Sequence, residues 1–301
     1  MILKLAIFLG IRVSLDSDGF ESWRLNFSRS EGFGEDRYWL ENFPIKGTTF
    51  GETSTARRAY SEPKESLDAM NQPPQVGIID YQMGNLRSVS KGIERAGGIP
   101  VVCESYRDLK SATHIVLPGV GAFRDAIHEL RRRDWVPFIQ DWIQADRPFL
   151  GICLGLQLLL DVSFEGGEHQ GLGIIPGQVI KFHFDPLVHG PLKVPHMGWN
   201  QVASHRVWDP MLRGLGPLPY FYFVHSYYAV PKASDSVWLT SSYGIDFCAA
   251  VQVGNLFATQ FHPEKSQSNG IALLRNFLDA PFDPSDPSPS KPSALQETNK
   301  S

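Results

Sequence analysis

Between residues 75 and 160 the chain alternates short apolar runs with amphipathic stretches, and this alternation constrains the fold more than any other feature. Gln75 to Asp80, Ile99 to Cys103, Thr113 to Leu117 and Phe149 to Ile152 each read as short buried strands. Asn85 to Ala96, Ala122 to Arg133, Trp135 to Ala145 and Leu154 to Leu160 read as helices, the first ended by Gly97-Gly98. A strand that crosses to a neighbour through a helix pairs in parallel, and a parallel sheet needs cover on both faces. The expected class is α/β: an open, mostly parallel sheet with helices on both faces. The second half is richer in strands, expected over Gln178 to Phe182, Tyr220 to Val230, Val237 to Ser241, Phe247 to Val253 and Leu256 to Phe261. A last helix, Ser268 to Leu278, puts Ile271, Leu274 and Leu278 on one face.

The two ends lack this pattern. Residues 1–69 hold none of the nine histidines and no sustained period, so they are expected to form a poorly ordered extension, with Met70 as the expected true start of a domain over 70–280. The apolar run Leu5 to Ile11 is short for a signal segment and no A-x-A-like site follows it. Residues 281–301 contain five prolines and five serines and are expected to be a disordered tail, because such a composition buries too little apolar surface to offset its ordering entropy.

With 42% hydrophobic residues the chain can build a sizeable core. The net charge of −4 lacks the basic excess of a nucleic-acid binder, and no run of about 18 apolar residues suggests a membrane span. Three cysteines without a CxxC argue against a disulfide framework or a cysteine zinc site, which fits a reducing cytoplasm. His183, His189, His196 and His205 are too irregularly spaced for a metal site, so no metal and no cofactor is expected.

Gly151-Ile152-Cys153-Leu154-Gly155 is a G-x-C-x-G sequence between an apolar strand and an apolar helix, the cysteine form of a nucleophile elbow. The glycines allow a tight reversal, and a helix beginning after Cys153 would favour thiolate. The backbone N–H of Leu154 can serve a developing oxyanion. A thiol nucleophile needs a base, and His262-Pro263-Glu264-Lys265 follows an apolar strand. On an extended chain His262 and Glu264 point to the same side, so Glu264 is the candidate support for an imidazolium at His262. Pro118-Gly119-Val120-Gly121 follows another strand; it is a poor dinucleotide loop, since Arg124 stands where a third glycine belongs. The backbone amides of this flexible loop are a better match to an oxyanion site beside Cys153. Gln157 lies one turn beyond Cys153 and is a candidate substrate ligand. Cys103 and Cys248 sit in apolar runs and are expected to be structural.

These motifs together resemble the class I glutamine amidotransferases. Ile79-Asp80-Tyr81-Gln82-Met83-Gly84-Asn85-Leu86, Val194-Pro-His-Met-Gly-Trp199-Asn200 and Phe223-Val-His-Ser-Tyr227 are similar, more narrowly, to the glutaminase subunits of imidazole glycerol phosphate synthases, over about residues 75–280. The resemblance implies that Cys153 attacks the L-glutamine amide to form a glutamyl thioester, that His262 shuttles the proton, and that Glu264 holds His262. It implies an oxyanion region at Val120, Gly121 and Leu154, and substrate ligands at Gln157, Ser226 and Tyr227. It implies a heterodimer in which Asn85, Met197, Trp199 and Lys265 lie in segments facing a cyclase subunit of (β/α)8 barrel fold, which uses the ammonia in histidine biosynthesis. Gln82 departs from the family, whose members often carry glycine there. Two other readings stand beside this one: an amidotransferase or γ-glutamyl peptidase for another acceptor, and a non-catalytic regulatory module on the same fold.

Overall fold

The structure, a computed structural model, describes residues 12–16, 24–28 and 73–279 except 110, 205, 207 and 208. The expected start at Met70, the expected tail at 281–301 and His205 lie outside the described residues. The chain divides into two units, Met1–Ser61 and Glu62–Ser301. In the first, β1 (Arg12–Asp16) pairs antiparallel with β2 (Arg24–Ser28), Ser14 opposite Asn26. The rest of the expected extension is outside the described residues.

The second unit carries β3 (Gln75–Ile79), α1 (Leu86–Ala96), β4 (Ile99–Cys103), β5 (His114–Gly119), α2 (Phe123–Arg132), α3 (Trp135–Gln144), β6 (Phe149–Cys153) and α4 (Leu154–Leu158). After these come β7 (Leu160–Ser163), β8 (His169–Gln170), β9 (Ile175–Lys181), α5 (Pro186–His189), β10 (His196–Gln201), β11 (Ala203–Ser204), β12 (Tyr220–His225), β13 (Tyr227–Pro231), β14 (Val237–Tyr243), β15 (Ile245–Val253), β16 (Leu256–Thr259) and α6 (Gln267–Leu278). The main sheet runs β4-β3-β5-β6-β16-β15-β13-β9-β7-β8, with β14 and β11 attached beside β15. The first five strands are parallel, and the remainder is mostly antiparallel. The α/β class with a β-rich second half is thus the observed architecture.

Alternation along the parallel strands makes two cores, one on each face. Val76, Ile78, Val116, Leu150, Ile152 and Phe257 pack with Val89 and Ile93 of α1 and Leu273, Leu274 and Phe277 of α6. Ile79, Ile115, Leu117, Phe149, Leu256 and Ala258 pack with Ile127 and Leu130 of α2 and Trp135, Ile139 and Trp142 of α3. Asn85 caps α1 by accepting from the Ser88 N–H at 3.3 Å, and Gly97 ends it in the left-handed region at φ 104°, its N–H reaching the Ile93 and Glu94 carbonyls.

Three expectations change. The helix expected over Leu154 to Leu160 is only Leu154–Leu158, because the carbonyls of Leu158, Leu159 and Leu160 accept from Leu172, Ile174 and Gly173 instead of continuing the helix. The strand expected over Tyr220 to Val230 is two strands meeting at Ser226: β12 pairs with β10 in a separate ribbon, while β13 pairs with β9 and β15 in the main sheet. His262 to Lys265 is not extended; Pro263–Lys265 is a 3-10 turn with His262 as its N-cap.

Packing leaves no space at Gly155. A Cβ there would lie 2.1 Å from the Leu117 carbonyl oxygen, a backbone atom of β5. Gly155→Ala is therefore expected to cost about 2–3 kcal/mol through a forced backbone shift, lowering the melting midpoint by roughly 5–10 °C in a circular-dichroism melt. An unchanged midpoint would contradict this close packing of α4 on the sheet.

Candidate active site

Three parallel strands end side by side. Thr259 of β16 pairs with Ile152 of β6, and Gly119 of β5 pairs with Cys153. The carboxyl ends of open α/β sheets are where ligands bind, and all three candidate motifs leave the sheet at this rim. Cys153 sits at the reversal with φ 55° and ψ −104°, a conformation that a non-glycine residue adopts at a cost of about 1–3 kcal/mol. This strained turn lets the chain pass from β6 into α4 with the sulfur on the rim.

Beside the rim is a cavity of about 350 Å³. Cys153, His262, Val120, Gly121, Leu154, Gln157, Ser226, Tyr227 and Lys265 all line it. Glu264 stands behind His262, its Oε1 2.8 Å from the imidazole Nδ1, both side chains buried. The turn at Pro263 makes this contact as well as the expected extended chain would have. The His262 ring lines the same cavity as Cys153, with Nε2 the ring nitrogen that Glu264 does not engage. Burial pulls the imidazole pKa down, but Cys153 and Glu264, through hydrogen bonding and charge, outweigh it and push it up to about 9. The ring is accordingly cationic at neutral pH, with the Glu264 carboxylate at its Nδ1.

Comparison with known proteins identifies the family. Residues 78–280 match the family described as glutamine amidotransferase class-I. The chain belongs to the class I glutamine amidotransferases. It is 49% identical over 208 residues to the imidazole glycerol phosphate synthase subunit HisH of Rhodopirellula baltica, covering 69% of this chain and 98% of that relative. It is 52% identical over 203 residues to the subunit of the same name from Syntrophotalea carbinolica, covering 67% and 98%. The fold is shared with the structure of PurLQS from Thermotoga maritima, at a TM-score of 0.55 and 17% identity over 69% of this chain and 99% of that one.

The geometry of this amidotransferase also shows what the motifs left out. Glu165 lines the cavity, and its Oε2 accepts from the Phe123 N–H at 2.9 Å, capping α2 from 42 positions away. Gln260, fully buried, places its Nε2 3.7 Å from the Cys153 sulfur and accepts from Gln157 Nε2 at 3.1 Å. Gln157 Nε2 also donates to the Tyr227 carbonyl at 3.0 Å, so the carboxamide oxygen of Gln157 is what remains for a substrate. Gln260 stands two residues before His262, and no motif in the sequence marks it. The Val120 N–H does not face the cavity as an oxyanion donor; it donates to the Met83 carbonyl at 3.0 Å. Tyr81 holds the same loop by donating its hydroxyl to the Pro118 carbonyl at 2.8 Å.

Asn85, Met197 and Trp199 do not line the cavity. Asn85 is the α1 cap, and Met197 and Trp199 are exposed on β10. Gln82 adopts φ 68°, the left-handed region in which glycine is unstrained, and its N–H is held by the Asp80 carboxylate at 2.8 Å. Cys103 and Cys248 are buried in strands; burial pushes their thiols up to about 11 and about 12. No helix among the described residues is long and apolar enough to cross a membrane.

Proposed function

We propose that this amidotransferase is the glutaminase subunit of imidazole glycerol phosphate synthase, hydrolysing L-glutamine and delivering ammonia to a cyclase subunit. The carrying observation is near-half identity to subunits of that name over almost their whole length. The cavity supplies the chemistry. Cys153 attacks the glutamine side-chain carbonyl, and the oxyanion forms beside the Leu154 N–H at the start of α4. His262 Nε2 gives its proton to the departing ammonia, leaving a glutamyl thioester on Cys153. The neutral imidazole then takes a proton from water, which attacks the thioester and releases glutamate. Glu264 fixes the tautomer that keeps Nε2 toward the sulfur. The α-ammonium of glutamine finds two acceptors, Glu165 and the Gln157 oxygen, and Ser226 and Tyr227 border the same end.

The partner is read as a (β/α)8 barrel forming a heterodimer over Asn85, Met197, Trp199 and Lys265, in the cytoplasm, where the buried thiols stay reduced. Ammonia released inside such an interface escapes protonation by bulk water, which would block its attack. The Val120 amide engaged by Met83 supports a resting state lacking one oxyanion donor. Docking beside Met83 would turn that peptide toward the thioester oxygen. Adding the cyclase with its nucleotide substrate is expected to raise glutamate release by about 10²–10³-fold, the weight of one such donor. An unchanged rate would favour an amidotransferase for another acceptor.

A further inference from the structure

Two buried histidines, one of them in the cavity wall, have no part in the proton transfers. His225 of β12 lines the cavity and lies directly opposite His196 of β10. The polarity of the bonds between them is forced. His225 Nδ1 is 2.8 Å from the Tyr227 carbonyl oxygen, which only accepts, so Nδ1 carries the hydrogen. In a neutral ring Nε2 is then an acceptor, so His196 Nδ1, 3.1 Å away, must donate to it. His196 Nε2 accepts in turn from Asn200 Nδ2 at 3.4 Å, and Asn200 also donates to the Ser242 carbonyl at 2.8 Å. Burial keeps both rings neutral, lowering the pKa of His196 to about 4 and that of His225 to about 3.

The chain of bonds meets the substrate cavity at one atom. The Tyr227 carbonyl that accepts from His225 also accepts from Gln157, and Gln157 is tied through Gln260 to the Cys153 sulfur. The bond from His225 to Tyr227 also spans Ser226, where the chain leaves one sheet for the other. At the far end, β10 alternates: His196 and Asn200 face inward while Met197 and Trp199 are exposed.

We propose that His225, backed by His196, is a positioning residue for the glutamine subsite: the pair holds the turn at Ser226 and the Tyr227 carbonyl, and thereby aims the Gln157 carboxamide oxygen into the cavity. This rests on reading the cavity as the glutamine site. The same pair joins that setting to the strand that presents Met197 and Trp199.

Two substitutions separate the two ring nitrogens. The amide nitrogen introduced by His225→Asn stands near Nδ1 and still donates to Tyr227. His225→Gln reaches toward His196 and gives up the bond to Tyr227. With the full chain and its cyclase, His225→Gln is expected to raise the glutamine KM about tenfold, the weight of one buried hydrogen bond, with kcat within about twofold. His225→Asn is expected to restore KM to within about threefold of the unsubstituted value. The rate of Cys153 alkylation by iodoacetamide should stay within about twofold in both, since positioning of glutamine leaves the thiol's own reactivity in place. If His225→Gln is insoluble, His196→Leu is read in the same assay, with about a threefold rise in KM expected. Equal KM in both His225 variants, a fall in kcat at constant KM, or an unchanged KM in His196→Leu would overturn the inference. No glutamate release from the unsubstituted complex would overturn the glutaminase reading beneath it, and the inference with it.

Discussion

Cys153→Ala is expected to lower glutamine hydrolysis by roughly 10⁴-fold or more while leaving ammonia-driven synthesis by the complex intact. The size follows from the chemistry. A thioester needs the sulfur, and Cys153 is the cysteine lining the cavity, whereas Cys103 and Cys248 are buried in strands with thiols pushed well above neutral pH. Alanine meets the same backbone strain at φ 55° as cysteine does, so the elbow and its packing should persist. The cyclase, supplied with ammonium salts, needs nothing from the sulfur. Full glutaminase activity in the variant would remove Cys153 as nucleophile, and loss of the ammonia-driven reaction would make its role structural. The measurements are glutamate release and nucleotide turnover on the same preparation.

Glu264→Gln is expected to lower kcat by about 10²–10⁴-fold. A carboxylate at Nδ1 can only accept, which places the ring hydrogen there when the imidazole is neutral and leaves Nε2 as the base. A carboxamide in its place can donate to Nδ1, which turns the tautomer around and leaves Nε2 without its lone pair. The charge effect has a definite sign. The folded-state pKa of His262 is raised above its ordinary 6.5, so its stabilisation is complete below about pH 6.5 and is lost as pH rises through about 9. Removing the Glu264 charge withdraws one of the upward influences. The melting-midpoint difference between the unsubstituted chain and Glu264→Gln should therefore shrink from pH 6.5 to pH 9. Retention of more than about a tenth of kcat would contradict the tautomer role.

What the sequence made legible was local. The parallel strands and their helices announce themselves because each element satisfies its own period, and Gly151 and Gly155 mark the elbow because a larger side chain cannot fit there. Asn85 reads as an interface residue at the start of a helix, and its role as the cap of α1 shows only in its bond from the Ser88 N–H. The rest depended on contacts between distant positions. Tyr220 to Val230 reads as one aromatic-rich run, yet its halves pair with β10 and β9 in different sheets, which nothing in the segment itself encodes. α4 stops after five residues because a loop more than ten positions later takes its carbonyls. Glu165 and Gln260 enter the site through bonds to the α2 terminus and to Gln157 and lie in no motif, while His225 lies within Phe223 to Tyr227 but shows its bond to Tyr227 only in the fold. The Val120 amide was expected at the oxyanion, and only its bond to Met83 shows where that donor is directed.

The account stands on one covalent event at one sulfur. The direct measurement is acid quenching of the cyclase-bound chain during glutamine turnover, followed by intact-mass and peptide analysis. A single glutamyl adduct on the peptide containing Cys153, absent from Cys153→Ala, is the predicted result. Turnover at full rate with no adduct under any quench time, or an adduct on Cys103 or Cys248, would contradict it.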